Sequence, residues 1–439
     1  MKQIATHTLG CRLNQFETEK IAASLYPAGF ERAEFSDSAD VYLINTCTVT
    51  HKADATCRQV ISNVARRKGS AKLVVVGCYV ESDRARVAGL AGVDLVIGNH
   101  EKNRSREIIQ ERWPELFPPD FSCGERQPLS GFHNRSRAWL KISDGCNQKC
   151  SFCIIPTVRG ALRNNSAPNV IRDINELVSA GYSEVVLTGV HIGHFKDSRC
   201  EISSLVDLLK MILRETDIPR LRLSSLEPQV VNDEIISLMS EETLRVCRYL
   251  HLPLQSGSDA VLSAMRRPYN RARYLEVISS LKKAIPEITI GGDVIVGFPG
   301  ESDADFSATV EVTDSGSMDY LHVFTYSDRT DTRASAMQDK INPQVIAARH
   351  KTLRQISKRR LAEAHQRAVG SECNVISENR DPDSGRWQGV TDNFLTVLLP
   401  DGVGGNRNIH QVLAGEYQDG RLDCEPISST SAKLVSTPV

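Results

Sequence analysis

The stretch from residue 137 to about residue 368 constrains the fold most, because strand-like and helix-like segments alternate along it. Short apolar runs of this kind are typical of buried strands, and the segments between them are long enough for amphipathic helices. The strand-like runs are 138–142, 184–187, 220–224, 249–252, 288–296 and 320–324. These repeated strand-helix units predict a partial (β/α)6 barrel, a shortened relative of the TIM barrel.

The first 114 residues show the same alternation on a smaller scale, which predicts a separate parallel α/β domain. Its apolar runs are 4–9, 41–45, 73–77 and 95–97. Three cysteines stand just after the first three runs, and they are Cys11, Cys47 and Cys78. Residues past the carboxyl ends of parallel strands line the ligand crevice of such a sheet, so we expect these thiols to meet at one edge.

A linker and a β-rich tail complete the predicted α/β organisation. Residues 115–136 carry prolines and glycines without apolar periodicity, as linkers do. Residues 343–368 read as a basic helix that ends the barrel domain. Residues 369–439 change to short strand-like runs with turn signals such as Asp401-Gly402, which predicts a small β-barrel.

The composition limits the classes of chemistry and the kinds of partner that fit this chain. The chain has 439 residues, 12 cysteines and a formal net charge of −1. Disulfide frameworks suit short secreted chains with little core, so cysteines in this long chain favour metal or redox chemistry. The sequence shows neither a run of about 18 apolar residues nor a signal-peptide pattern, and we expect a cytoplasmic protein without membrane contact. Because the net charge is small, a nucleic-acid partner requires a local basic surface.

The strongest chemical signal is a loop that carries Cys146, Cys150 and Cys153. Thiolates are soft ligands that suit iron-sulfur clusters, and three of them leave one iron of a 4Fe-4S cubane open. That iron is free to bind the amino and carboxylate groups of S-adenosyl-L-methionine (SAM) and to pass an electron to its sulfonium. Zinc is the alternative, but it needs a fourth ligand close by, and no His or Cys lies between Cys153 and His191.

Four stretches together carry a specific resemblance. They are TLGCRLN at 8–14, NTCTVT at 45–50, VGC at 76–78 and DGCNQKCSFCIIPTVRG at 144–160, where Phe152 is the aromatic residue before the last cysteine. Over most of its length the chain resembles the radical SAM methylthiotransferases. It departs from the family at Asp144, where many relatives carry Glu, and this leaves the role of that carboxylate open.

The resemblance implies SAM, two 4Fe-4S clusters and a C-terminal TRAM-like RNA-binding barrel. In that family the first three cysteines hold an auxiliary cluster that presents sulfur, and the next three hold the radical cluster. SAM-binding elements are implied near 187–189, 224–228 and 291–300, with Glu227 facing the ribose hydroxyls. The residues assigned to SAM are Phe152, Thr188, Gly189, Ser225, Glu227, Gln255, Asp293 and Ile295.

The resemblance also implies the reaction, which is insertion of a methylthio group at C2 of a modified adenosine next to the tRNA anticodon. One SAM gives its methyl group to a sulfur on the auxiliary cluster. Another is cleaved to a 5′-deoxyadenosyl radical that takes the C2 hydrogen, so an electron donor such as flavodoxin or ferredoxin is required. The stretches 45–50, 189–194 and 324–327 most resemble the branch that acts on N6-threonylcarbamoyladenosine.

The basic helix fits an RNA substrate, whose phosphates supply much of the binding energy. The predicted contacts are Arg349, Lys351, Arg354, Lys358, Arg359 and Arg360. From charge alone, a solvated helix face is an equal alternative. Other branches of the family act on isopentenyladenosine in tRNA or on an aspartate of a ribosomal protein. A non-catalytic iron-sulfur protein that binds RNA or senses redox state is the alternative from a different class. We expect a monomer.

Several residues keep open interpretations. His191 and His194 either hydrogen-bond to neighbours at a strand end or contact the substrate. Arg159 either bridges the two cluster domains or pairs with an acid. The remaining cysteines have no assigned role, and Cys123 in the linker is interpreted as an exposed thiol; they are Cys57, Cys123, Cys200, Cys247, Cys373 and Cys424.

Overall fold

The computed structural model describes residues 1–119, 121, 132 and 135–427. Its N-terminal part is a five-stranded parallel sheet with the order β2-β1-β3-β4-β5. The strands are β1 (Lys2–Thr8), β2 (Phe30–Ala33), β3 (Val41–Thr46), β4 (Lys72–Gly77) and β5 (Leu95–Ile97). The helices are α1 (Arg12–Leu25), α2 (His51–Arg67), α3 (Cys78–Ser82), α4 (Arg84–Ala88) and α5 (Ser105–Arg112). Successive strand residues belong to two different apolar cores, so both faces of the sheet are covered, as predicted.

The predicted linker lies largely outside the described residues, and so does Cys123 with its interpretation as an exposed thiol. The described parts of this segment are packed. Phe117 lies against Phe30 of the N-terminal sheet, with ring centroids 5.8 Å apart. Phe132 lies against Trp139 at the start of the central barrel, at 5.4 Å.

The central part contains two three-stranded parallel sheets, β10-β9-β6 and β11-β12-β13. Isolated bridges from Leu221 to Val246 and from Ser225 to His251 join them into an open six-stranded barrel, which confirms the predicted class. Its strands are β6 (Ala138–Lys141), β9 (Glu184–Thr188), β10 (Arg220–Leu223), β11 (Tyr249–His251), β12 (Thr289–Val296) and β13 (Tyr320–Thr325), and β7 (Ser143–Asp144) pairs with β8 (Arg163–Asn164) beside them. The helices are α6 (Ile155–Arg159), α7 (Ala167–Ser179), α8 (Leu205–Glu215), α9 (Asp233–Glu241), α10 (Asp259–Ala264), α11 (Arg271–Ala284), α12 (Asp303–Asp314) and α13 (Pro343–Ala368).

Two helices cover the edge strands that an open barrel leaves unpaired. Helix α1 of the N-terminal part packs on β6, and α13 packs on β13. Phe16 of α1 belongs to the same apolar core as the barrel strands. The start of α1, which follows Cys11, therefore lies beside the barrel rather than on a remote surface.

The C-terminal part is a closed five-stranded barrel with the order β14-β15-β16-β18-β17, as predicted. Its strands are β14 (Glu372–Arg380), β15 (Trp387–Thr391), β16 (Thr396–Leu398), β17 (Ile409–Gln418) and β18 (Arg421–Pro426). Arg220 and Arg222 of β10 donate to backbone carbonyls of this barrel, and the buried carboxylate of Glu184 holds both guanidinium groups. Among the helices of the described ranges, none has the length and apolarity needed to cross a bilayer.

Candidate active site

The three N-terminal thiols lie at the carboxyl ends of neighbouring strands. Cys11 precedes α1, Cys47 follows β3 and Cys78 begins α3 directly after β4. Gly10 has a φ of +96°, and a Cβ at this position would lie 2.9 Å from the Cys47 sulfur. Gly10 is therefore required both for its left-handed backbone and for the close approach of the two loops.

Burial controls the ionisation of the Cys47 thiol. It raises the pKa of Cys47 to about 11, and the nearby Cys78 and Cys11 add to this rise while the backbone N–H of Val49 opposes it. Thiols in such a site lose their protons when a metal binds. No three His, Cys, Asp or Glu side chains in the described ranges are placed to share one metal ion. A cubane binds each thiolate at a different iron, so its ligands do not need to meet at one point.

The second cysteine loop runs from β7 to α6 and is tied to the end of α10. The N–H of Ser151 donates to the Met265 carbonyl at 3.0 Å, and its hydroxyl donates to the Ala264 carbonyl at 2.8 Å. Within the loop, the N–H of Cys153 donates to the Cys150 carbonyl at 3.2 Å. Burial raises the pKa of Cys153 to about 12.

Arg267 connects this loop to the predicted SAM site, and the sequence did not reveal it. It donates to the Cys150 sulfur at 3.1 Å and pairs with Glu227. Burial raises the pKa of Glu227, and the cation of Arg267 opposes the rise. Burial raises the pKa of Cys146, and the nearby Cys150 thiol and Glu227 carboxylate add to this rise. Arg267 lies more than a hundred residues from the cysteine loop, so no local motif marks it.

A cavity of about 200 Å³ lies between the two cysteine sites. On the N-terminal side it is lined by Val49 and Thr50, which follow Cys47, and on the barrel side by Cys153. Four residues predicted to bind SAM also line it, namely Phe152, Gln255, Asp293 and Ile295. The other four lie outside this lining, at the carboxyl ends of β9 and β10: Thr188, Gly189, Ser225 and Glu227.

Unpaired polar atoms near these strand ends fit a polar cofactor. The buried atoms that lack a hydrogen-bond partner include Ser143 Oγ, His191 Nε2, Ser224 Oγ and Gln255 Oε1, which all lie at or near these strand ends. A Cβ on Gly189 would lie 2.2 Å from Ser143 Oγ, so a larger residue would fill the space beside it. Buried polar groups are normally satisfied, and this set matches a ligand with several hydrogen-bonding groups, as SAM has.

Comparison with known proteins decides the family. Residues 3–98 match the Uncharacterized protein family UPF0004, and residues 140–312 match the Radical SAM superfamily. The chain is 36% identical to Threonylcarbamoyladenosine tRNA methylthiotransferase MtaB of Bacillus subtilis (strain 168), over 91% of this chain and 90% of that one. It is 34% identical to the protein of the same name from Thermotoga maritima, over 100% of this chain and 99% of that one. The chain belongs to the radical SAM methylthiotransferase family.

Another relative agrees with this assignment, and solved structures share the fold. The methylthiotransferase is 32% identical to tRNA-2-methylthio-N(6)-dimethylallyladenosine synthase of Acidothermus cellulolyticus, over 88% of this chain and 81% of that one. Its fold is similar to the radical SAM methyltransferase TsrM of Kitasatospora setae, with a TM-score of 0.54, 14% identity and coverage of 74% and 75% of the two chains. The enzyme OxsB gives a TM-score of 0.51 at 10% identity, over 88% and 64%. Membership of an enzyme family excludes the non-catalytic alternative.

A buried charge cluster joins the two cysteine sites of the methylthiotransferase. Glu17 of α1 accepts from Lys102 at 2.6 Å, from Lys141 at 2.9 Å and from Arg159 at 3.1 Å. Arg159 also donates to Asp144 at 2.9 Å, so it both pairs with acids and bridges the two parts of the chain. Burial raises the pKa of Glu17. The positive charges of Lys102, Lys141 and Arg159 outweigh this effect and hold the pKa well below its usual range. Three cations against two carboxylates leave this cluster with a net positive charge, and Arg159 opposes the rise that burial causes in the pKa of Cys47.

A second ion pair joins the loops on either side of the cavity. Arg329 donates to Asp54 at 2.7 Å and to Thr48 at 2.8 Å, and Thr48 donates to Asp54 at 2.6 Å. Arg329 follows the cavity-lining residues Tyr326 and Ser327, so it ties the loop after β13 to the loop after Cys47. The sequence analysis left open whether Arg159 bridges the domains or pairs with an acid, but it named no partner for Arg159 and did not predict the Arg329 pair, because partners this far apart leave no pattern in a single sequence.

His191 lies beside the radical loop. Its Nδ1 is 3.9 Å from the Cys146 sulfur, and its ring is 4.3 Å from that of His194. Burial and the neighbouring His194 lower the pKa of His191 to about 4, so its ring is neutral at pH 7.

A basic groove of about 900 Å³ lies along α13, β13 and the start of α2. Its basic lining residues are Lys52, His322, His350, Lys351, Arg354 and Lys358, and the described residues that line it include no acid. Phe324, which is 45% exposed, lines both the groove and the 200 Å³ cavity. The groove is therefore adjacent to the cavity between the cysteine sites.

The structure corrects part of the predicted RNA-binding set. Arg349 is buried and donates to the Glu301 carboxylate at 2.5 Å, so it stabilises the barrel and is not free to bind a phosphate. Arg359 and Arg360 both pair with Glu363 on the same helix. The charge of the helix can be read from the sequence, but the face on which each cation lies depends on packing.

Proposed function

We propose that this methylthiotransferase converts N6-threonylcarbamoyladenosine next to the anticodon of tRNA into its 2-methylthio derivative. The observation that carries the proposal is the 200 Å³ cavity, because Cys153 lines one side of it and the residues after Cys47 line the other. A base held there faces both cysteine sites, and close placement of reacting groups is what this reaction requires.

The residues present fit the two clusters and SAM that the family uses. In this proposal Cys146, Cys150 and Cys153 hold the radical cluster within residues 137–368. Cys11, Cys47 and Cys78 hold the auxiliary cluster within residues 1–114. When bound, these groups supply an electron, a carbon-centred radical, a methyl group and sulfur.

The protein itself binds, orients and shields the reactants. Phe152 and Ile295 form an apolar wall that excludes water from the cavity, which protects a radical from side reactions. Gln255 Oε1 is a buried acceptor without a partner, and Asp293 supplies a carboxylate on the same side. The Glu17 cluster and the Arg329 ion pair keep the two cysteine sites at a constant separation.

The names of the relatives support this substrate. Several similar proteins are named for threonylcarbamoyladenosine, whereas others are named for dimethylallyladenosine. The basic groove supports an RNA substrate, with Lys351, Arg354 and Lys358 as its phosphate contacts and the closed barrel of strands β14 to β18 as a TRAM-like second contact. We further propose a cytoplasmic monomer that receives electrons from flavodoxin or ferredoxin, because the radical step consumes an electron.

Nucleoside analysis tests the substrate. In cells that lack the gene, we expect tRNA to retain N6-threonylcarbamoyladenosine and to lose its 2-methylthio form, and a plasmid copy of the gene should restore it. Loss of the methylthio group from isopentenyladenosine instead would identify the other tRNA branch. Unchanged tRNA, together with an unmodified ribosomal-protein aspartate, would overturn the proposal in favour of a protein substrate.

The groove gives a second prediction. We expect Arg354→Ala with Lys358→Ala to weaken binding of a tRNA anticodon stem-loop and to reduce the slope of log K against log salt by about 1 to 2, because each lost phosphate contact lowers the counterion release. Fluorescence anisotropy at several salt concentrations measures both effects. Lys210→Ala with Arg214→Ala removes two exposed cations from α8 and is the matched control. An unchanged salt slope in the groove variant would show that RNA binds elsewhere.

A further inference from the structure

Two half-exposed apolar side chains lie at the edge of the cavity between the cysteine sites. Phe324 is 45% exposed and Val49 is 49% exposed, and both line this cavity of about 200 Å³. In the part of the chain that the structure describes, six large hydrophobic side chains are exposed, so two of the six border one small cavity. Exposed apolar surface concentrated beside a cavity is typical of a contact site. We call Val49 and Phe324 the apolar rim.

The register of the last two barrel strands shows where the Phe324 ring lies. In the parallel pair of β12 and β13, Phe324 lies opposite Ile295. Ile295 lines the cavity, whereas Val294 and Val296 belong to the apolar core on the other face of the sheet. Successive side chains of a strand point to opposite faces, so the ring of Phe324 lies on the cavity side.

The residues beside Phe324 hold its backbone in place. Val323 packs against the barrel core. The ring of Tyr326 lies against that of Phe298, with centroids 5.8 Å apart. Phe324 therefore presents its ring from an anchored strand end, and such preorganisation reduces the entropy that is lost when a ligand binds.

The basic groove shares Phe324 with the cavity. Arg354 and Lys358 of α13 line the groove beside this ring, and so does Lys52, which follows Val49 shortly along the chain. Proteins bind unpaired stretches of nucleic acid by holding the phosphates with cations and stacking the bases on aromatic rings. The groove and the apolar rim together provide both kinds of contact.

We propose that Phe324 stacks on an unpaired base of the anticodon loop that neighbours the modified adenosine, with Val49 bordering the same base. This inference rests on the proposed function, since it requires an RNA substrate. An adenosine that enters the cavity loses its stacking on its neighbours in the loop, and this loss costs free energy. Stacking of the neighbouring base on Phe324 offsets part of that cost and positions the adenosine between the cysteine sites.

The test compares intact and abasic anticodon stem-loops that carry N6-threonylcarbamoyladenosine. The abasic RNAs lack the base on the 5′ side or on the 3′ side of this nucleoside. Phe324→Ala is expected to weaken anaerobic binding of the intact RNA to the holoenzyme by about 5- to 100-fold, whereas Phe324→Tyr should keep most of the affinity. Wild type and Phe324→Ala should bind one of the abasic RNAs equally, because its stacking partner is absent.

Two further readouts separate stacking from a general disturbance of the groove. The fluorescent base 2-aminopurine, placed at the contacted position, should lose fluorescence on binding to the wild type but not to Phe324→Ala. The slope of log K against log salt should stay unchanged in Phe324→Ala, because no phosphate contact is lost. Leu244→Ala removes another exposed apolar side chain, at 82% exposure, and should behave as the wild type.

The other outcomes are distinct. Equal binding of the intact RNA by wild type and Phe324→Ala would overturn the role of Phe324, and so would an equal loss with the intact RNA and both abasic RNAs. Weaker binding of SAM to Phe324→Ala with unchanged RNA binding would assign the ring to the cofactor site instead. A wild type that binds none of these stem-loops would overturn the proposed RNA substrate itself.

Discussion

Replacement of Cys11, Cys47 and Cys78 together by alanine is expected to remove about half of the iron and sulfide and to abolish methylthiolation. The physical reason is that each thiol site holds one cubane, and the N-terminal site presents the sulfur. The radical loop, anchored separately on α10 through Ser151, should keep its own cluster and still cleave SAM. Anaerobic iron and sulfide analysis with a 5′-deoxyadenosine assay measures both results.

The reciprocal variant sharpens this experiment. Replacement of Cys146, Cys150 and Cys153 by alanine should also remove about half of the iron, but it should abolish SAM cleavage as well. The matched control replaces Cys200, Cys373 and Cys424, which lie outside both sites, and should retain all the iron. If the N-terminal variant keeps its full iron content, the two-cluster proposal is wrong.

Glu184→Gln is expected to cost about 3–5 kcal/mol of stability, because it removes the carboxylate that compensates buried arginines. Glu184 is fully buried and accepts from Arg220 at 2.5 Å and from Arg222 at 2.7 Å. Both arginines also hold the C-terminal barrel by its backbone carbonyls. The melting temperature should fall by roughly 6–15 °C. Backbone hydrogen exchange in residues 372–426 should become faster.

The pH dependence of stability is a second test of the ion pairs between Glu184 and its two arginines. Burial raises the pKa of Glu184. The positive charges of Arg220 and Arg222 outweigh this effect and hold the pKa well below its usual range. The stabilisation is therefore present above the usual carboxyl pKa of about 4.3 and is lost as the pH falls through the lower folded-state value. Glu184→Gln should not show this loss of stability at acidic pH. Glu241→Gln, on the exposed end of α9, should match the free energy of unfolding of the wild type within about 0.5 kcal/mol. An unchanged melting temperature in Glu184→Gln would contradict the role assigned to this carboxylate.

The sequence alone predicted the fold class and the positions of the cysteines at strand ends. The strand-like runs could be read because buried parallel strands are apolar and bounded by helix-length segments. The convergence of Cys11, Cys47 and Cys78 followed from a topological rule, since the carboxyl ends of parallel strands share one edge. Strand β2 was missed because Phe30–Ala33 is short and half charged.

The tertiary structure decided everything that depends on which side chains meet across long distances in the chain. It separated Arg349, paired with Glu301, from Arg354 and Lys358, which line the groove. It revealed that Arg267 contacts the Cys150 sulfur and pairs with Glu227. A sequence records the charge of each residue, but pairing and desolvation are set by the packing of distant elements, and these determine whether a charge stabilises the fold or is left for a ligand.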